Sequence, residues 1–235
     1  MPWSPVSSAA ASSSADGLQQ PTGRRPCRWR YLTAVLVLVR HGQSEGNAAG
    51  LLLGRLESPL TAAGRQQAAA LVSELSGADR VITSPLGRAR ETAAIVAPHR
   101  PAQVDERWVE VDYGVYDGTP LGQVPHEVWR QWQSDRDFRP PGGESLGELG
   151  RRVREACEEL FADPAAGARS AADVMVVSHV SPIKAAVAWA LGAGDELAWR
   201  LHLSTASVTR IGWGANGPLL HRYNWTPHLI EPPPR

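Results

Sequence analysis

Lysine is nearly absent from this chain: Lys184 is the only one in 235 residues, so 23 of the 24 basic side chains are arginine. They are balanced by 24 acidic residues, which excludes a general attraction to nucleic acid or to an anionic membrane. Any anion must then be held by a local cluster. The arginine excess fits biased coding as well as phosphate recognition, because only an arginine pre-organised in a site exploits its bidentate fork. Cysteine is equally scarce. Cys27 and Cys157 lie far apart, which excludes a disulfide framework and a Cys-rich metal site and suits a reducing, cytoplasmic setting. No apolar run approaches the roughly 20 residues of a membrane helix, so a soluble protein without a membrane partner is expected. Phenylalanine is limited to 2 residues against 9 tryptophans. What remains, 43% hydrophobic residues and 22 glycines, is enough for one α/β domain with a full core.

Residues 1–33 differ in kind, with serine clusters, scattered alanine and proline, and late arginines. They are expected to be a disordered extension or the product of an upstream start, a transit peptide being the alternative. The domain is expected over 34–228, with a tail over 229–235. It opens on the apolar run Ala34 to Val39, a buried strand, followed by a loop to residue 60. Thr61 reads as the N-cap of a helix reaching Leu75. Val81–Thr83 is a short strand, and a helix over Gly87 to Ala97 stops at Pro98. Residues 113–144, rich in Gly, Pro and Trp, are the natural place for a lid, with a helix near Glu127 to Trp132. Ser145 and Glu148 form a capping box for a helix to Ala162. Asp173 to Ser178 is a second buried strand, and Ser181-Pro182 starts a helix through Leu191. A short helix over Asp195 to His202 and strands over Ser207 to Ile211 and Leu219 to Tyr223 complete the chain. Alternating strands and helices predict a three-layer α/β/α sandwich with a mostly parallel central sheet.

Arg40-His41-Gly42 ends the first strand, where open α/β sheets hold their ligands. Alone the tripeptide is weak, since chance supplies it in roughly 6% of chains of this composition. It has company in order: Gln43-Ser44-Glu45-Gly46-Asn47, Thr61-Ala62-Ala63-Gly64-Arg65, Ser84-Pro85-Leu86-Gly87-Arg88, Glu110 with Tyr113-Gly114, Gly142-Gly143-Glu144-Ser145, and Val176-Val177-Ser178-His179. This series closely resembles the histidine phosphatase superfamily, which includes the cofactor-dependent phosphoglycerate mutases. The likeness spans residues 34 to 225. Where most of that family follows the second histidine with glycine, this chain has Val180-Ser181-Pro182, as in a subgroup with domains similar to α-ribazole phosphatase.

Both histidines follow buried strands, so the fold should bring them together. Neutral imidazole is a competent nucleophile near pH 7 and divides phosphoryl transfer into two easier steps. The resemblance also implies His41 as nucleophile. A phosphate monoester needs fixed positive charge, for which Arg40 and Arg88 are the candidates, whereas Arg65 and Arg90 fall on other helix faces and read as surface. The resemblance places Gln43, Ser44 and Asn47 around the transferred phosphate, with a backbone contact at Val180, and makes Glu110 the proton donor. A carboxylic acid in a partly desolvated cleft suits that role. Lys184 is expected on the helix surface. With no His-Glu-x-x-His, His-x-His or Cys pair, no metal ligands are assigned and no cofactor is required.

The expected partner is a small-molecule phosphate monoester; the oligomeric state is unreadable. Phosphatase and mutase share the phosphohistidine step. Glu110 and His179 are only 69 positions apart, while the mutases resembling this chain carry a longer insertion there, which favours hydrolysis. A silent phosphate-binding protein would have lost a site residue, and none is lost. Trp108, Trp129 and Trp132 either fill the core or pack an organic leaving group.

Overall fold

In the computed structural model, residues 35–75, 77–162, 173–214, 216–226 and 229 are described. The expected extension over 1–33 and the tail beyond 229 lie outside the described residues, as does Cys27. The elements run β1 (Val35–Arg40), α1 (Glu45–Ala48), α2 (Ala62–Ala70), α3 (Val72–Leu75), β2 (Arg80–Thr83), α4 (Gly87–Val96), β3 (Gln103–Val104), α5 (His126–Ser134), α6 (Leu146–Phe161), β4 (Val174–Ser178), α7 (Val180–Ala190), β5 (Val208–Gly214) and β6 (Gly217–Trp225). One six-stranded sheet has the order β3-β2-β4-β1-β5-β6. β3, β2, β4 and β1 are mutually parallel, and the β5–β6 hairpin adds to β1 antiparallel.

The unbroken apolar run of β1 follows from its central position. Side chains alternate across a strand, and both faces of this one are covered. Leu36 and Leu38 enter one core with Leu149, Val153 and Cys157 of α6 and Ile183, Ala186 and Trp189 of α7. Val37 and Val39 enter the other with Ala68 of α2, Leu75 of α3, and Ala89, Ala93 and Val96 of α4. A strand buried on both faces loses the polar alternation of a half-exposed one. The result is the expected three-layer sandwich, built on a mostly parallel sheet.

Element boundaries depart from expectation where polar side chains or packing intervene. The helix capped by Thr61 breaks at Leu71, which turns into the core fully buried and passes the chain to α3. The loop over 43–60 contains the single-turn α1, closed by a capping box between Ser44 and Asn47. α7 begins at Val180, so His179 itself occupies the N-cap in extended conformation. The segment over 195–200 is a 3₁₀ helix, and β5 and β6 are longer than expected. α5 is the helix expected near Glu127 to Trp132. It docks through a separate cluster in which Trp132 is buried with Leu52, Val124 and Val128, and Tyr113, Tyr116, Trp129, Phe138 and Trp199 pack around it.

No helix among the described residues is long and apolar enough to cross a membrane.

Candidate active site

The sheet register assembles the site. Arg40 pairs with Ser178 across β1 and β4, and Thr83 with Val177 across β2 and β4. The next residues, His41, His179 and Ser84, therefore leave three adjacent strands at the same carboxyl edge. Their exit is held by His41 N–H donating to Ser178 O (3.0 Å) and Ser84 N–H to Val177 O (3.0 Å). On the other side Ala206 donates to His41 O (3.1 Å) from a left-handed backbone, φ 51°. That conformation is costly for alanine and is held by its surroundings. Gly42 is required by crowding: a Cβ there would stand 2.3 Å from Gly64 O, and one on Gly64 would stand 2.0 Å from Gln43 O. The two glycines let the loop after His41 cross the start of α2 in backbone contact.

His41 and His179 are buried, with ring centroids 5.0 Å apart in an edge-to-face arrangement. His41 Nδ1 lies 2.7 Å from Gly42 O. A carbonyl only accepts, so Nδ1 carries the proton and Nε2 presents its lone pair. His179 Nε2 lies 2.7 Å from Ser84 Oγ, which itself accepts from Leu86 N–H (3.3 Å). Burial pulls the pKa of both imidazoles well below the usual value. The cations Arg40 and Arg88 push each further down, and for His179 so does His41. Both rings are neutral at physiological pH.

Arg88 is almost fully buried in the first turn of α4, its guanidinium aimed by Nη1 to Leu56 O (2.8 Å) and Nη2 to Gly54 O (2.6 Å). Those carbonyls are positioned by Asp117, which accepts the N–H groups of Gly54, Arg55 and Leu56 at 2.7, 2.7 and 2.9 Å. Arg40 donates from Nη1 to Leu203 O (2.6 Å). Burial lowers the pKa of both arginines, opposed by the charge of Glu110, yet a guanidinium stays protonated. Arg40 Nε, Arg88 Nε and His179 Nδ1 are buried without a hydrogen-bond partner. Glu110 is buried as well. Its carboxylate accepts from Val111 N (2.8 Å), Val180 N (3.1 Å) and Ser181 N (3.2 Å), so the first turn of α7 anchors it two residues from His179.

His41, His179, Arg40, Arg88 and Glu110 thus lie together at this edge of the sheet. The smaller polar residues are partly spent on local structure. Ser44 and Asn47 cap one another's backbone across α1, Gln43 Oε1 accepts from Thr61 Oγ1 (2.9 Å), and the Val180 N–H serves Glu110. Arg65 and Arg90 are exposed, Arg65 pairing with Glu91 at 2.6 Å. Lys184 corrects an expectation. It is half-buried rather than on the surface, because one turn after Val180 its Nζ reaches Ala198 O (2.9 Å) and ties α7 to the 195–200 segment. Trp108 and Trp132 fill cores.

Sequence reasoning missed Arg152. It grips Glu144 bidentately (2.7 and 2.8 Å) and donates to Arg107 O (2.6 Å) and Glu110 O (3.4 Å), bracing the backbone on which Glu110 stands. A signal was present: Arg152 lies three residues after Leu149 and four before Ala156, on the buried face of its helix. Asp117 was missed too, since nothing in the sequence indicates the three backbone groups it collects.

A neutral ring nitrogen, one buried and one half-buried guanidinium and an anchored carboxyl group at a parallel sheet's carboxyl edge form an arrangement able to hold an anion beside a nucleophile. The chain belongs to the histidine phosphatase superfamily, branch 1, whose family model matches residues 36–226. It is 33% identical over 227 residues to the "Bifunctional protein Rv2228c" of Mycobacterium tuberculosis, covering 90% of this chain and 61% of that protein, so it spans less than two thirds of that relative. It is 35% identical over 208 residues to the "Probable phosphoglycerate mutase GpmB" of Serratia proteamaculans, covering 83% of this chain and 94% of that one. Among solved structures it resembles the mycobacterial glucosyl-3-phosphoglycerate phosphatase Rv2419c in complex with VO3, at TM-score 0.73 and 27% identity over 81% of this chain and 98% of the other.

Proposed function

We propose that the chain is a phosphomonoesterase that hydrolyses a small organic phosphate through a phosphohistidine on His41. The observation that carries this is the contact of His41 Nδ1 with Gly42 O, which assigns the proton to one nitrogen and leaves Nε2 free to attack. The phosphoryl group sits between the guanidiniums of Arg40 and Arg88, whose unpartnered Nε atoms, with His179 Nδ1, suit the oxygens of a dianion. These donors are rigid before the substrate binds, so charge developing on the equatorial oxygens costs no reorganisation.

In the first step the Nε2 lone pair forms a bond to phosphorus while the ester P–O bond breaks. The departing alkoxide takes its proton from the carboxyl group of Glu110. In the second step water attacks phosphorus, yields a proton to the Glu110 carboxylate, and the P–N bond breaks with its electron pair returning to Nε2. Alcohol and inorganic phosphate leave, and the enzyme is restored. The neutral His41 favoured by burial keeps the nucleophile competent down to mildly acidic pH.

A mutase reading is favoured by the similarity to GpmB. It differs only in the acceptor, a second hydroxyl of the retained substrate replacing water. Phosphate release from p-nitrophenyl phosphate at pH 5 to 8, compared with His41→Ala, tests the proposal. Release by the native chain alone supports it. No release, with activity dependent on a bisphosphorylated primer, replaces it with the mutase, and release surviving in the variant removes His41 as nucleophile.

A further inference from the structure

Ser84 belongs to the motif that carries Arg88, yet the phosphoryl-transfer steps give it no part. It is fully buried and directly follows β2. Its backbone is held from both sides, the N–H donating to Val177 O (3.0 Å) and the carbonyl accepting from Thr83 Oγ1 (3.1 Å). Pro85 has no N–H, so the next backbone donor is Leu86 N–H, which binds Ser84 Oγ (3.3 Å). The same Oγ lies 2.7 Å from His179 Nε2. His179 is the N-cap of α7, but its side chain makes no cap hydrogen bond. Glu110 takes the N–H groups of Val180 and Ser181 instead, which leaves the ring to Ser84. That ring stands 5.0 Å, centroid to centroid, from the ring of His41, and its Nδ1 is buried without a partner among the described residues.

A serine hydroxyl has one proton to give and two lone pairs. Leu86 N–H takes one lone pair, and His179 Nε2 is the only other partner of Oγ among the described residues. Burial keeps His179 neutral, with a single N–H to place. Were that proton on Nε2, Oγ would accept twice, and both the hydroxyl proton and the Nδ1 lone pair would be buried unpaired. With the proton on Nδ1, the hydroxyl donates to Nε2 and the Nδ1–H alone lacks a partner. The second arrangement strands one buried polar group instead of two, and every stranded group carries its full desolvation penalty. The group left over is a donor on the ring next to the nucleophile. Resting on the phosphomonoesterase reading, we propose that Ser84 is a positioning residue: its hydroxyl donates to His179 Nε2 and so commits the His179 proton to Nδ1, where it meets an oxygen of the transferred phosphoryl group. A donor fixed in this way before the substrate arrives needs no reorganisation in the transition state.

The first readout is the tautomer itself, by nitrogen NMR of the full chain carrying isotope-labelled histidine, in which protonated and lone-pair ring nitrogens resonate far apart. The spectrum of His179→Gln identifies the His179 pair among the 7 histidines. In the native chain Nδ1 should carry the proton, both free and with inorganic phosphate added, and Ser84→Ala should move it wholly or partly to Nε2 in the free protein. The second readout is kcat/KM for p-nitrophenyl phosphate. Removing an oxyanion donor outright costs about 10²- to 10³-fold, so Ser84→Ala, which only releases the donor, should cost about tenfold. Added to His179→Gln, the same substitution should cost less than about twofold, because the ring it positions is gone. A native His179 protonated at Nε2 overturns the inference, as does a full tenfold loss in the His179→Gln background; phosphate release by the native chain would in either case still uphold the phosphatase. No release from the native chain, with His179 protonated at Nδ1 and moved to Nε2 by Ser84→Ala, removes the phosphatase reading and upholds Ser84 as the group that sets the tautomer.

Discussion

Acid should unfold this protein through its two site histidines. His41 is 3% exposed and His179 fully buried, and burial holds both neutral in the folded state at pH values where the unfolded chain would protonate them. Their folded pKa lies below the unfolded one, so between the two values the unfolded state binds more protons and stability rises with pH. That stability is fully present above the unfolded value of about 6.5 and is lost as pH falls toward the folded values. Each such group contributes a slope of about 1.4 kcal/mol per pH unit inside that window, and the two together about 2.7. Chemical denaturation at pH 7, 6.5, 6 and 5.5 measures the slope for the native chain, His41→Gln, His179→Gln and the double variant. Carboxylates add their own dependence, since Asp105 and Glu148 are held low by hydrogen bonds, but that part is common to all four proteins. Each single variant should remove about half of the excess slope and the double variant nearly all of it. Parallel curves for the native chain and the double variant would refute the buried, neutral imidazole pair.

Two further outcomes are expected. Glu110→Gln should lower kcat/KM, which reports only the first step, by about 10²- to 10⁴-fold for an alkyl phosphate and far less for p-nitrophenyl phosphate, whose leaving group needs no proton; equal losses of kcat/KM on both would deny Glu110 its acid role. Arg152→Met leaves the largely buried Glu144 only its exposed partner Arg55 (3.3 Å) and should cost about 2 kcal/mol in urea denaturation, with most of it recovered in Arg152→Met/Glu144→Gln; additive losses would show that the pair is not coupled.

The sequence by itself determined the layers and the chemical inventory. An apolar run buried on both faces can only be a central strand, so β1 and β4 were legible from composition alone, and Thr61 and Ser145 announced their helices because a cap is a local hydrogen bond between residues three apart. The motif series named His41, His179, Arg40, Arg88 and Glu110. Local patterns could not show the break at Leu71, the amine of Lys184 drawn onto Ala198 O, or Arg152 braced beneath Glu110, since each depends on a surface supplied from elsewhere in the chain. Only the tertiary structure decided how these residues are arranged. The parallel register of β1, β4 and β2 sets two histidines 138 positions apart within ring contact, and the Gly42 carbonyl selects which nitrogen keeps its lone pair. Asp117, through three backbone groups of a distant loop, aims Arg88. Hydrogen bonds and burial of this kind join residues far apart in the chain, and they take effect only when folding brings those residues together.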